Sequence, residues 1–405
     1  MRGVAPPADR SRRLLVLGAG PAQLGLLRAA RALGIWTAAC DRDPGAPGFS
    51  FVDRRCIVSI EDEPAIERLA SALSLGGLIA PGRDRSAAVA ARIAEKLGIA
   101  HPISPATAAL GANRVRQREA LAAAGVPQPR WQLVSGAGAE LELVLPVVVK
   151  VVDRAGQTQL RLVEHQAELD RALEAARAAS RAGPVLVEEY LDGPELTISG
   201  FSGAGAVAAL LVTDRSSAEP PAFGVPLGES WPAAHAEAAA EVARRAVSAL
   251  GIDHGPWHAR LRLSRGGPEV IQVSARLGAN HEAELVELAT GIDLNRLALA
   301  AALGWPIAVD DMKGAAPAGV GGAAVRFLIA PAGVLEAIEV PQGLEGVVAV
   351  WIYRQPGYVF APLRRPSDRA GAVLVAGASR AEAVARADAA VERIRFLAAD
   401  AGALV

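Results

Sequence analysis

A short apolar run, RLLVLG at residues 13–18, ends in glycine and passes into GAGPAQLGLLRAARALG, whose apolar residues recur with helical spacing. Strand, glycine turn and helix in immediate succession constrain the fold more than any other feature. Such a unit buries its apolar faces by repeating beside itself in a parallel sheet. The chain does repeat it. WTAACDRDP reads as a second strand ending in Asp41 and Asp43, GGLIAPG (76–82) as another buried strand, and DRSAAVAARIAEKLG as an amphipathic helix. Alternating β and α elements predict an α/β domain over roughly residues 11–105, a parallel sheet with helices on its faces.

The chain then changes character. NRVRQREALAAAGVPQPRWQLV reads as a helix stopped by Gly125, Pro127 and Pro129, then a strand. LPVVVKVV is a strand with Lys150 near its end, and RLVEHQAELDRALEAARAAS a strand and a helix. VLVEEYLDGPELTISGFSG reads as two strands joined by a DGPE turn. GPWHARLRLSRGGPEVIQVSARLG, residues 255–278, alternates as a β-hairpin, after a long Ala-rich helix and before a helical pair. Gly, Ala and Pro crowd residues 314–322, which read as a linker. Strands AAVRFLIA and VAVWIY lead to a closing amphipathic helix, SRAEAVARADAAVERIRFLAAD. A central domain over 106–313 and a small α+β domain over 323–405 are expected.

A length of 405 residues accords with two or three domains, and 51% hydrophobic with 21% charged residues describes a globular chain. A net charge of −1 gives no bulk attraction to nucleic acid or an anionic membrane. Two cysteines, Cys40 and Cys56, make no disulfide framework and point to a reducing compartment. No apolar run reaches membrane-spanning length and no signal-like apolar stretch opens the chain, so a cytoplasmic location is expected. Basic residues are overwhelmingly arginine, with Lys96, Lys150 and Lys313 the three lysines. A lysine kept against that bias is informative.

In Lys150 at a strand end, Glu188-Glu189-Tyr190-Leu191, Gly193-Pro194-Glu195 and SARLGANHEAELVELATGIDL, the chain resembles the ATP-grasp superfamily, and within it carboxylate–amine ligases related to L-amino-acid ligases and carbamoyl-phosphate-synthase-like proteins. The resemblance covers nearly the whole length. It implies an ATP-grasp fold of mixed α/β and α+β class, with a Rossmann-like pre-grasp domain, a two-lobed grasp domain and a small C-terminal α+β domain. It also implies that ATP lies between two sheets and that a small carboxylate or amino acid is phosphorylated and attacked by an amine. Lys150 would contact phosphate as a point charge, Glu188–Leu191 and Glu195 would hold adenosine, and Arg276 would hold the substrate carboxylate or acyl phosphate by a guanidinium fork. Arg114 stands where the family has lysine. The loop after Lys150, Asp153-Arg154-Ala155-Gly156-Gln157-Thr158-Gln159, keeps Gly156 alone of the glycines that let backbone N–H groups close over phosphates. A homodimer or an enzyme partner is a further implication of the resemblance.

The hairpin departs most. Period-2 alternation puts Leu261, Leu263, Ile271, Val273 and Ala275 on the core face. His258, Arg260, Arg262, Gln272, Ser274 and Arg276 share the other, and the same parity sends Glu269 away from them. The family has a glutamate and a Glu-x-Asn pair at positions held here by Arg260, Gln272 and Ser274. Magnesium requires hard oxygen ligands, commonly carboxylates. Like charges about 4 Å apart repel by roughly 4 kcal/mol at an effective dielectric near 20, so Arg260 opposes a cation and favours an anion. No residue of this chain is expected to serve as a metal ligand, and the sequence argues against Mg²⁺.

Weaker signals have plain readings. Gly18-Ala-Gly20-Pro-Ala-Gln23 with Asp41 approaches a dinucleotide fingerprint but lacks the third glycine. His254 and His258 flank a strand and are expected to be satisfied structural residues, Cys40 is expected to be inert, and Trp231 to be core or substrate mouth. Glu282 and Glu284 lie beyond the hairpin. Two functions are expected. One is a ligase homologue whose nucleotide pocket has lost its Mg²⁺ ligands, with Arg260 and Arg276 on the acyl phosphate. The other is an inactive or repurposed ATP-grasp protein, regulator, partner subunit or metal-independent catalyst.

Overall fold

The computed structural model describes residues 9–135, 141–152, 160–180 and 184–399. The N-terminal region runs β1 (Arg13–Leu17), α1 (Leu24–Ala32), β2 (Trp36–Asp41), β3 (Arg54–Ile57), α2 (Glu63–Leu73), β4 (Gly77–Ile79) and α3 (Asp84–Leu97). Its strands form a parallel sheet in the order β3-β2-β1-β4. β3 was not expected; Arg54, Arg55 and Ile57 are exposed, so it lacks the apolar run that marks β1. Gly18 turns at φ +105°, and Gln23, where a third glycine was sought, fills the space beneath it and donates to Pro81 O at 2.7 Å. Asp41 accepts from Ala19 N at 3.0 Å, so its carboxylate braces the loop.

The central region begins with α4 (Pro105–Gly111), α5 (Arg114–Ala123), β5 (Trp131–Val134), β6 (Val147–Val151), β7 (Leu160–Val163), α6 (Gln166–Ala179) and β8 (Val185–Glu189). The strands make an antiparallel sheet, β5-β8-β6-β7. α6 covers it with Leu169, Ala172, Leu173 and Ala176, an i, i+3, i+4, i+7 stripe packed on Val147, Val149, Val151, Val185 and Val187. The opposite face of β6 and β8 is left for Lys150 and Glu188.

β9 (Glu195–Gly203), β10 (Ala206–Ser217), β11 (Pro226–Trp231), α7 (Ala236–Ala249), β12 (Gly255–Ser264), β13 (Gly267–Ser274), α8 (Glu282–Thr290) and α9 (Leu294–Leu303) follow. The C-terminal region adds β14 (Gly322–Leu328), β15 (Gly333–Glu339), β16 (Val347–Ile352), β17 (Val359–Phe360), β18 (Gly371–Gly377), α10 (Arg380–Arg393) and β19 (Arg395–Ala399). One eight-stranded sheet, β13-β12-β9-β10-β11-β14-β18-β16, runs from the central into the C-terminal region, beside a small sheet β17-β15-β19. The DGPE turn therefore joins strands of two different sheets. Gly193 takes φ +146° there, and a Cβ would strike Leu263 O, which presses the turn onto the hairpin.

The closing helix was expected to run through RFLAA. It stops at Arg393, and residues 395–399 pair with β15 instead. Phe396 is buried and Leu397 exposed, so the segment has the period of a strand. Among the described residues no helix is long and apolar enough to cross a membrane.

Candidate functional site

The sheet β5-β8-β6-β7 presents Lys150 and Glu188 to the eight-stranded one. Both side chains are buried and form an ion pair. Arg118, from α5, closes a fork on the same carboxylate at 2.8 and 2.9 Å. Its Nη1 and Nη2 also donate to Val270 O and Ile271 O of β13, each at 2.7 Å, so one guanidinium ties helix, hinge and hairpin together. Burial alone would raise Glu188, yet Arg118 and Lys150 hold it down at about 2. Burial pushes Lys150 down to about 8 against the pull of Glu188. Arg114, one turn before Arg118, makes no ion pair among the described residues. Burial lowers its pKa, opposed by Glu188 and Asp84.

The other hinge residues are also engaged. Glu189 pairs with Arg130 at 2.7 Å. Arg262 donates to Tyr190 Oη and Leu191 O, both at 2.9 Å, and its guanidinium lies 4.9 Å from the Tyr190 ring centroid. Gly156 and its loop lie outside the described residues.

The hairpin corrects the parity argument. Arg260 pairs with Gln272, but Leu261 pairs with Val270, leaving Ile271 as an extra residue in a bulge. Val270 is fully buried and takes the core place expected of Ile271, which is only partly buried. Every side chain on the N-terminal side of the bulge changes face, and Glu269 now stands opposite Arg262 on the polar face. Arg118 satisfies both bulge carbonyls.

Strand register then builds a ladder of alternating charge, Glu269–Arg262–Glu195–Arg215–Glu229, across β13, β12, β9, β10 and β11. Arg215 reaches Glu195 at 3.2 Å and Glu229 at 3.5 Å, and Arg262 reaches Glu195 at 4.0 Å. Arg260, one row along, places Nε 2.6 Å from Glu195 Oε1. Burial raises Glu195, but Arg260 and Arg215 draw it below the ordinary carboxylate value. Glu229 accepts from the hydroxyls of Thr213 at 2.9 Å and Thr197 at 3.2 Å. Burial, with Glu282 nearby, pushes it up to about 8.

A carboxylate that the sequence did not single out completes the site. Asp84 opens α3 of the N-terminal region and accepts from Arg276 Nε at 2.7 Å and Gln272 Nε2 at 3.2 Å. Gln272 also lies 3.4 Å from Ser274 Oγ. Arg276 Nη1 donates to Leu277 O at 2.9 Å and lies 3.2 Å from His258 Nε2. A guanidinium only donates, so Nε2 accepts and the ring proton belongs on Nδ1. Burial and the charges of Arg276, Arg215 and Arg260 hold His258 neutral. Among the described residues its Nδ1 has no partner, contrary to the satisfied role expected. Among the described residues no three His, Cys, Asp or Glu side chains converge to hold a metal ion.

The remaining candidates have surroundings of their own, and of them Glu282 stands near Glu229. His254 meets the edge of Phe201, and Cys40 and Cys56 are buried free thiols on paired strands. Trp231 packs against the core at the end of β11. Glu282 accepts from Asn280 Nδ2 at 3.0 Å, and Glu284 lies 3.5 Å from His281.

Two facing sheets, a hinge between them and a lysine on the four-stranded sheet β5-β8-β6-β7 define an ATP-grasp fold. Residues 326–398 match the family described as L-amino acid ligase C-terminal domain 2. An L-amino acid ligase from Bacillus licheniformis superposes with a TM-score of 0.81 at 23% identity, over 97% of this chain and 100% of that one. A formate-dependent phosphoribosylglycinamide formyltransferase of Synechococcus sp. is 28% identical over 94% of this chain and 96% of its own length. An uncharacterized protein of Sinorhizobium fredii is 30% identical over 70% of this chain, which spans only 60% of that relative. The chain belongs to the ATP-grasp carboxylate–amine ligase family.

Proposed function

We propose that this chain binds the phosphates of a nucleotide, ATP by family, with fixed guanidinium and ammonium groups instead of Mg²⁺, and that conventional acyl-phosphate ligase activity is weak or absent. The observation that carries the reading is Arg260, set opposite Gln272 and engaged by Glu195. An arginine, an amide and a hydroxyl do not fit a doubly charged hard cation. Of the carboxylates that reach this face, Asp84 and Glu195 each already hold an arginine. Lys150, Arg114, Arg118, Arg215, Arg260, Arg262 and Arg276 outnumber the acidic Asp84, Glu188, Glu195 and Glu269, while burial pushes Glu229 up to about 8. That excess favours an anion. Lys150 and Arg114 would hold phosphates, Glu188–Leu191 and Glu195 would flank the nucleoside, and Arg276 would meet a small carboxylate or amino acid.

A cytoplasmic setting, supported by free buried thiols, and a homodimer or enzyme partner belong to the same proposal. The second reading is a working ligase with an altered metal arrangement. One observation favours it: the bulge brings Glu269 to the polar face.

Calorimetric titration of ATP with and without Mg²⁺, paired with ADP release across an amino-acid panel, separates the two. Binding indifferent to Mg²⁺ and no substrate-stimulated ADP release are expected. In the triple variant R260E/Q272E/S274N, which restores oxygen donors, ATP binding is expected to become Mg²⁺-dependent by roughly tenfold or more. Mg²⁺-dependent tight binding with substrate-stimulated turnover in the natural chain overturns the proposal.

A further inference from the structure

The N- and C-terminal regions enclose a cavity of about 560 Å³ that lies outside the nucleotide cleft. Its walls come from α1, from the segment joining β2 to β3, and from β16 with the residues that follow it. No lining residue belongs to the sheet β5-β8-β6-β7 or to the hairpin. β16 is the outermost strand of the eight-stranded sheet, at the end opposite β13. Seven strand spacings of about 4.8 Å put the two ends roughly 34 Å apart along the sheet. The volume falls within the roughly 300–1,000 Å³ usual for small-molecule sites.

Three guanidinium groups line the cavity, and each lies over an aromatic ring. Arg28 stands 4.9 Å from the Phe51 ring centroid, Arg55 5.9 Å from that of Phe49, and Arg354 4.5 Å from that of Tyr358. A guanidinium laid on a ring face keeps its N–H edge for acceptors in its own plane. Arg28 and Arg55 are exposed and make no ion pair among the described residues. Arg28 does feel the field of Glu284, which lies 3.5 Å from His281. Among the described residues Asp43 is the one carboxylate of the lining, and Arg354 Nη1 holds it at 2.9 Å. Two positive charges are left over. Two buried donors of the wall, Arg354 Nε and Trp351 Nε1, also lack partners among the described residues. A buried donor without an acceptor is costly, and an acceptor on a ligand removes that cost.

The loop that carries Asp43, Phe49 and Phe51 is set before any ligand arrives. Pro44 and Pro47 restrict it, and Gly48 N donates to Ala19 O at 2.7 Å. A Cβ at Gly48 would strike that same oxygen, so the loop lies tight against the β1 turn. We infer that this cavity binds a small phosphate monoester carrying a flat apolar ring. Such an ester bears roughly 1.5 to 2 negative charges at pH 7 and answers both unpaired arginines, where a carboxylate bears one. Guanidinium forks match phosphate oxygens, and the Phe49 and Trp351 walls suit a ring. The site stands apart from the nucleotide cleft and does not depend on how that cleft is read.

The test titrates the full chain calorimetrically with phenyl phosphate, phenol, benzoate, inorganic phosphate and a capped phosphotyrosine tetrapeptide. Phenyl phosphate is expected to bind the natural chain, and every other probe to bind at least roughly tenfold more weakly. In R28Q/R55Q its affinity should fall roughly 10- to 100-fold, with partial recovery in R28K/R55K. Both arginines are exposed, so the unfolding midpoint of R28Q/R55Q should match that of the natural chain. R114Q, altered in the nucleotide cleft, should bind phenyl phosphate as the natural chain does. The assignment is overturned by no phenyl phosphate binding, by equal affinity in R28Q/R55Q, or by another probe binding as tightly. A loss in R114Q as large as that in R28Q/R55Q, or a much lower R28Q/R55Q midpoint, overturns it as well.

Discussion

At the hinge one carboxylate, Glu188, holds Lys150 and Arg118 in a closed buried triad. Across the large sheet, acids and arginines alternate strand by strand from Glu269 to Glu229. The triad concentrates its compensation in a single side chain. The ladder distributes it, because Arg215 touches two acids and Glu195 is shared by Arg215, Arg260 and Arg262. Buried charge is tolerated in both places, but the two should fail differently when a member is removed.

The largest effect is expected at the triad. Glu188→Gln leaves two buried cations facing one another and should cost about 3–5 kcal/mol in chemical denaturation. Glu195→Gln should cost less, since Arg262 keeps Glu269 across the strand and Arg215 keeps Glu229, whose carboxyl ionises more readily once Arg215 has no other acid. Equal losses would erase the distinction between the clusters.

Next in size is an opposite response to pH. Glu188, lowered from 4.5 to about 2, contributes stability that is present above pH 4.5 and lost as pH falls toward 2. Glu229, raised from 4.5 to about 8, keeps a proton that the unfolded chain releases. Its contribution is therefore present below pH 4.5 and lost as pH rises toward 8. One proton in that window corresponds to at most about 1.4 kcal/mol per pH unit. Glu229→Gln should flatten the limb between those values and leave the acid limb intact; an unchanged slope in urea unfolding across that range would sink the assignment.

The smallest effect sharpens the comparison from outside. Glu63 forks onto Arg92 at 2.6 and 2.9 Å on the surface of the N-terminal region. Glu63→Ala should cost no more than about 1 kcal/mol by the same denaturation measurement, because solvent screens the pair. A loss as large as that of Glu188→Gln would mean that burial is not what sets the triad apart.

Much of the fold was legible in the chain. The strand–turn–helix opening, the Lys150 strand, the hinge and the hairpin lie where periodicity and glycine placed them. The closing helix was over-extended because Ile394, Phe396 and Leu397 suit either period over so short a run, and pairing with β15 decided between them. At the site, Lys150, Glu188, Arg260, Gln272 and Arg276 were legible by type and position. Their partners were less so. Asp84 lies 188 residues from Gln272 with no local feature to mark it, and Arg118 and Arg215 are arginines in a chain full of them.

The sequence by itself determined the order of elements and the residue types on each strand: a lysine at one strand end, an arginine, an amide and a hydroxyl on the hairpin. Those are local properties, carried by a period of two or 3.6 residues. Only the tertiary structure decided which charges meet. The Ile271 bulge, satisfied by Arg118 from a distant helix, moved Glu269 to the polar face. Register between strands far apart in the chain aligned the ladder, and closure of the C-terminal region buried Arg369 against Asn280 and Phe327. Pairing energy between distant segments sets register, and no periodicity within one segment encodes it.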